Sequence, residues 1–134
     1  MSSSAEPTPG DPRQPAIRVV MMPRDTNALG TIFGGLILSY IDQAGVVGAQ
    51  AYGCRRLVTV AMHAVEFHHP VFVGDLVSFY ATVLRVGRTS ITVRVEVEVD
   101  RRSRNGERAT VTEAEVVYVH VDEENQPIPI RGDE

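Results

Sequence analysis

The stretch TNALGTIFGGLILSYIDQAGVVGAQAYGC, residues 26–54, decides the fold. An irregular approach leads to a double glycine, Gly34 and Gly35, and then to a nearly all-apolar run. Leu36, Ile37, Leu38, Tyr40, Ile41, Val46, Val47, Ala49 and Tyr52 surround a helical wheel almost completely, which marks a buried helix rather than a surface one. Gly53 is placed to end it. The run is about long enough to span a membrane, but Ser39, Asp42, Gln43 and Gln50 make it too polar, and strand-like sequence follows. The helix is therefore expected inside a folded domain.

Working outward, IRVVMM from Ile17 is a short β-branched run stopped by Pro23, which predicts a first strand. After the helix the hydrophobic period changes to two. LVTVAMH and VEFHHPVFV read as strands around a turn, and GDLVSFYATVLRVG places Val77, Phe79, Ala81 and Val83 on one face of a long strand. In SITVRVEVEVDRR, Ile91, Val93, Val95, Val97 and Val99 alternate with Thr92, Arg94, Glu96, Glu98 and Asp100, which describes a half-solvated antiparallel strand. RNGE reads as a turn, and RATVTEAEVVYVHV as a closing strand of mixed alternation. The order is strand, long helix, then a series of strands mostly joined by short turns. The class is α+β, with an antiparallel sheet wrapped around a central helix. One sheet cannot cover a helix that is apolar all round, so the leftover helix and sheet-edge surface predicts a two-fold partner.

With 134 residues, 43% apolar and 22% charged, the chain has the size and composition of one globular domain. Residues 1–15, rich in Ser and Pro, read as a disordered arm with neither a secretory signal nor a membrane anchor. Residues 16–121 form the predicted domain, and 122–134 an acidic, proline-interrupted tail on the surface. A net charge of -4 gives no general attraction to nucleic acid or to an anionic membrane. The single cysteine, Cys54, fits a reducing, cytoplasmic setting and reads as a packed helix-end residue.

Asp42 is the one formally charged side chain of residues 26–54. An ionised carboxylate in an apolar setting must be hydrogen-bonded, paired, protonated or open to a site. A structural hydrogen bond to a neighbouring turn and a functional role both meet that requirement. Gly34 and Gly35 open the helix, where unpaired N–H groups and the positive dipole end favour a ligand oxygen. The same pair would also serve a tight turn or close packing. Eight positions separate Gly34 from Asp42, so at ~1.5 Å per residue the carboxylate lies roughly 12 Å along the helix. One helix cannot offer both groups to one carbon; two antiparallel helices across a dimer axis can.

PRDTNALGTIFGGLILSYIDQAG together with LVTVAMHAVEFHHPVFVGDLVSFYATVLRVGRTSITVRVEV closely resembles the hotdog-fold acyl-CoA thioesterases of the YciA type, relatives of the cytosolic acyl-CoA hydrolases. The resemblance runs from about Arg18 to Tyr118, and rests on Asn27 in the pre-helix loop, the Gly-Gly pair, Asp42, and HPVFVGD at residues 69–75. It implies a hotdog fold and hydrolysis of acyl-CoA to free acid and coenzyme A. It makes Asp42 the catalytic general base or nucleophile, brings Asn27 from the other protomer, and has the Gly34 and Gly35 amides hold the carbonyl oxygen. It further implies that dimers associate, commonly as a trimer of dimers. Phe33 departs from the His that many relatives carry before the glycines, and Val46 stands where the 4-hydroxybenzoyl-CoA branch has Thr.

The chemistry stands without the resemblance: a thiol leaving group with pKa near ~8.5 departs as thiolate without a strong acid, so a carboxylate and an oxyanion hole suffice. No cofactor is called for, coenzyme A being part of the substrate. His63, His68 and His69 lie on strand-like segments without supporting cysteines, and no metal site is predicted. Ser39, Ser78 and Ser90 lack a nucleophile-elbow context. The coenzyme phosphates need a local cationic patch; Arg88, Thr89 and Ser90 of GRTS, and Arg101 of RRSR, are the candidates, each also readable as part of a solvated turn. The rival from another class is a non-catalytic acyl-CoA-binding regulator on the same fold.

Overall fold

The computed structural model describes residues 13–101 and 106–130. Residues 1–12 of the predicted arm, 102–105 of RRSR and of the RNGE turn, and 131–134 of the tail lie outside them.

Five strands and one long helix follow the expected order: β1 (Ile17–Val20), α1 (Gly34–Ala49), β2 (Leu57–Phe67), β3 (Leu76–Val86), β4 (Ser90–Arg101) and β5 (Glu107–His120). They form one antiparallel sheet in the order β1-β3-β4-β5-β2, which is the hotdog architecture. The alternation read in β4 holds for most of the strand: Ile91, Val93, Val95, Val97 and Val99 are buried and Arg94, Glu96, Glu98 and Asp100 are partly exposed, whereas Thr92, read with the latter, is buried. Opposite them on β5, Thr112, Ala114, Val116 and Tyr118 pair with Val97, Val95, Val93 and Ile91, and this face receives α1 through Ile37, Ile41, Ala44 and Ala49. A single turn of 3-10 helix, Gln50–Tyr52, continues α1, and Gly53 in the left-handed region (φ 80°) stops it. No helix of the described residues is long and apolar enough to cross a membrane.

Three features differ from the sequence reading. Residues 57–67 do not turn. They run as one edge strand with register shifts between Thr59 and Ala61 and between His63 and Glu66, the second carrying Ala64 at φ 53°. Bulges of this kind increase twist and bend β2 without reversing it. The acidic segment is not a loose tail as far as residue 130: it turns at residues 122–125, pairs Pro127 with Val121, and buries Ile130 completely, with the Ile130 N–H on the Arg88 carbonyl at 2.9 Å. At the other end, Arg13 packs over the Tyr80 ring and pairs with Glu96 and Glu98.

Candidate active site

Asp42 lies in the third turn of α1, half-buried rather than engulfed by apolar side chains. Two groups from the sheet hold it. The Thr59 hydroxyl on β2 donates to one carboxylate oxygen at 2.7 Å, and the Tyr118 hydroxyl on β5 donates to the Asp42 backbone carbonyl at 2.6 Å. Thr59 and Tyr118 are directly paired across their strands, so one rung of the sheet fixes both the carboxylate and the helix beneath it. Tyr118 is fully buried. Burial first, and the nearby Asp42 charge second, push its ionisation well above the ordinary tyrosine range. Glycine makes this approach possible: a Cβ on Gly45 would lie 2.0 Å from the Tyr118 hydroxyl.

Neither partner was singled out in the sequence. Thr59 gives no signal within an alternating run. Tyr118 does: it shares the inward phase of Ala114 and Val116, and a tyrosine at a core position needs an acceptor for its hydroxyl.

At the start of α1, Gly34 and Gly35 occupy the first turn, where amides have no intrahelical acceptor. Both glycines are also packing positions. An added Cβ on Gly35 would meet the Phe33 ring at 2.6 Å, and one on Gly34 would touch Phe67 at 3.6 Å. A cleft of about 220 Å³ opens beside Gly34, bounded by Ile32, Ile37, Phe67, Val71 and Thr112 among others.

Asn27 does not reach Asp42 within the chain. Its side-chain oxygen accepts the Leu29 and Thr31 N–H groups, and its amide donates to the Thr31 hydroxyl, which closes the loop before α1. Arg101 requires a correction. It is 8% exposed, pairs with Asp75 at 3.3 Å, donates to the Pro70 carbonyl and lies over the Phe72 ring. Its cation therefore anchors the 70–75 turn instead of facing a phosphate. The strand from Ser90 to Arg101 also separates it from Arg88 by roughly 35 Å, at ~3.3 Å per residue. Arg88 is exposed on the β3–β4 turn, where the Thr89 carbonyl accepts the His120 N–H. His120 in turn lines a cleft of about 680 Å³ together with Arg55, Arg56 and residues 122–124. The basic pair Arg55 and Arg56 was not read as a candidate in the sequence.

The three strand-segment histidines are exposed. His68 sits between Glu66 and Glu113, with ligand-type atoms within 4.8 Å of one another, but Glu113 also carries the Arg94 guanidinium, so the group closes as an ion network.

Residues 29–104 match the family model described as the thioesterase superfamily. The chain belongs to this family. It is 40% identical over 120 residues to the acyl-CoA thioester hydrolase YciA of Salmonella typhimurium, covering 87% of this chain and 90% of the relative. The hexameric hotdog-fold thioesterase Cj0915 of Campylobacter jejuni superposes with a TM-score of 0.84 at 45% identity, over 89% of this chain and 91% of that one. HI0827, a hexameric broad-specificity acyl-coenzyme A thioesterase, superposes with a TM-score of 0.82 at 41% identity, over 88% and 81%.

Proposed function

We propose that this protein hydrolyses acyl-CoA thioesters to a free acid and coenzyme A in an active site shared across a homodimer. The observation that carries the mechanism is Asp42, a carboxylate on an otherwise apolar helix, aimed by Thr59 and left half open. The activity of the relatives supports the reaction class.

In this reading the thioester carbonyl oxygen takes hydrogen bonds from the Gly34 and Gly35 amides at the positive end of α1 of one protomer. Asp42 of the other protomer draws a proton from water as its oxygen attacks the carbonyl carbon. The C–S bond then breaks, and the thiolate leaves with coenzyme A without needing an acid of its own. Direct attack by the carboxylate, followed by hydrolysis of the resulting anhydride, uses the same residues. Asn27 positions water or thioester from the protomer that supplies the amides. No step calls for a metal or an added cofactor.

The uncovered surface supports the dimer. β2 is an edge strand with Val58 and Val60 exposed, and Val47 on α1 and Phe33 before it are exposed as well. Apolar surface of this kind marks an interface, and the hexameric relatives support a trimer of such dimers. Arg88, Thr89 and Ser90 remain the phosphate candidates, and Arg55 and Arg56 join them, since His120 ties both groups to one end of the sheet. The lone Cys54, buried and with no second cysteine in the chain to pair with, supports a cytoplasmic setting.

Thiol release from a panel of acyl-CoAs tests the reaction, and no release from any member refutes it. Mixing Asn27→Ala with Asp42→Asn protein, under conditions that exchange subunits, tests the sharing. A heterodimer has one site with both defects and one with neither, so activity returns; no recovery despite demonstrated exchange means that each site draws on a single chain.

A further inference from the structure

Two aromatic rings stand against the two glycines that open α1. A Cβ built on Gly35 would lie 2.6 Å from Cε2, 3.0 Å from Cζ and 3.3 Å from Cδ2 of Phe33, so that ring rests on Gly35 itself. A Cβ on Gly34 would sit 3.6 Å from Cε1 and Cζ of Phe67, which arrives from the far end of β2. The backbone of Phe33 is pinned on both sides, its N–H on the Asp25 carbonyl at 2.9 Å and its carbonyl taking the Leu36 N–H at 3.0 Å. Between these bonds the Gly34 and Gly35 N–H groups find no acceptor among the described residues. Filling the core does not account for the rings, since Phe33 is 57% and Phe67 53% exposed.

We propose that Phe33 and Phe67 are the dry walls of the oxyanion hole, positioning residues that keep water off the Gly34 and Gly35 amides. This inference deepens the acyl-CoA hydrolysis proposed above and rests on it. An N–H open to bulk water is already hydrogen-bonded, and exchanging that water for a substrate oxygen gives little net gain. Donors in a water-poor setting bind the charge arising on the thioester oxygen more strongly, and need no reorganisation as it forms. A phenyl ring brings no polar group of its own to compete for the amides. Neither ring touches the reacting atoms; both act through the two N–H groups. Gly35 thereby has a second reason to be glycine, because a β-carbon there would push the Phe33 ring from its seat.

The test measures kcat and KM separately, by thiol release from the best acyl-CoA of the panel above. The proteins are full-length wild type, Phe33→Ala, Phe33→Leu, Phe67→Ala, Gly35→Ala and the Phe33→Ala/Gly35→Ala double variant. Losing an oxyanion donor outright costs about 100- to 1,000-fold in kcat. Here both donors stay and only their shielding goes, so kcat should fall about tenfold in Phe33→Ala and in Phe67→Ala, with KM within about twofold of the wild type. Phe33→Leu, apolar and nearly as large, should recover most of the loss. Gly35→Ala should fall as Phe33→Ala does, because its methyl swings the exposed ring aside while the amide remains, and the double variant should be little worse than either single one. Gly35→Ala keeps the phenylalanine and replaces a poor helix former by a good one, so it decides the matter even where Phe33→Ala fails to fold. An unchanged kcat in Gly35→Ala overturns the inference. So does a rise in KM alone, which makes the rings a binding surface, and so does a double variant showing both losses in full, which puts the methyl rather than the ring in the way of substrate. A wild type that releases thiol from no acyl-CoA refutes the hydrolysis reading itself, which separates the two failures.

Discussion

Replacing Gly45 by Ala should destabilise the protein, although helix propensity alone argues the opposite. In the middle of a helix, Ala is better than Gly by about 1 kcal/mol. Here the added Cβ would stand 2.0 Å from the Tyr118 hydroxyl oxygen, 2.9 Å from Cζ and 3.0 Å from Cε2. The Tyr118 ring is rigid and fully buried, so α1 must lift from the sheet. Overpacking of this kind costs about 1–3 kcal/mol, and stretching the bond to the Asp42 carbonyl leaves a buried hydroxyl unsatisfied at a further cost of about 1–3 kcal/mol. Set against the propensity gain, the net loss is about 3 kcal/mol. For a chain of this size that is a fall of about 10 °C in Tm, read by thermal unfolding at one fixed protein concentration so that the proposed assembly contributes equally to both proteins. Tyr118→Phe removes the atom at 2.0 Å. The double variant should therefore be more stable than Gly45→Ala alone, with a coupling of about 1 kcal/mol or more. A Gly45→Ala protein as stable as the wild type refutes the close helix–tyrosine contact.

Asp42→Asn keeps the size of the side chain and loses the base, so turnover should fall by at least about 100-fold while circular dichroism and substrate binding are retained; near-wild-type rates in a folded variant sink the mechanism. Thr59→Val frees the carboxylate to rotate, and kcat/KM should drop by roughly tenfold, about 1.4 kcal/mol; an unchanged rate would mean that the 2.7 Å bond does not aim Asp42. The raised ionisation of Tyr118 keeps the folded state protonated where the unfolded chain loses its proton. Its contribution to stability is thus fully present below about pH 10 and is lost as pH rises beyond that. Tyr118→Phe should flatten the alkaline fall in stability, read by thermal unfolding across the alkaline range; a fall unchanged in the variant would contradict this.

The parts of the fold that were legible in the sequence are those written in local periodicity. Alternation in β4 assigned the buried face residue by residue, and an apolar wheel ended by glycine marked α1. β2 misled because a bulge keeps pairing while breaking the two-residue period, which imitates a turn. Asp42 stood out as a charge in apolar surroundings, but its partners did not: Thr59 and Tyr118 are 17 and 76 positions away, and tertiary folding alone brings them together. The same applies to Arg101. A basic cluster at a strand end suggests a phosphate site, and only the approach of Asp75, 26 positions earlier, turns the first of its arginines inward.

The open edge of β2 has a kinetic consequence. Its unpaired backbone groups and exposed Val58 and Val60 accept any strand that arrives, native or not. If the chain assembles as the proposed dimer, a newly folded monomer is in a race between two second-order encounters, one with a properly aligned copy and one with a partly folded chain. Refolding yield should pass through a maximum with concentration, limited by slow association when dilute and by precipitation when concentrated, and a charge placed at Val60 should slow both branches together.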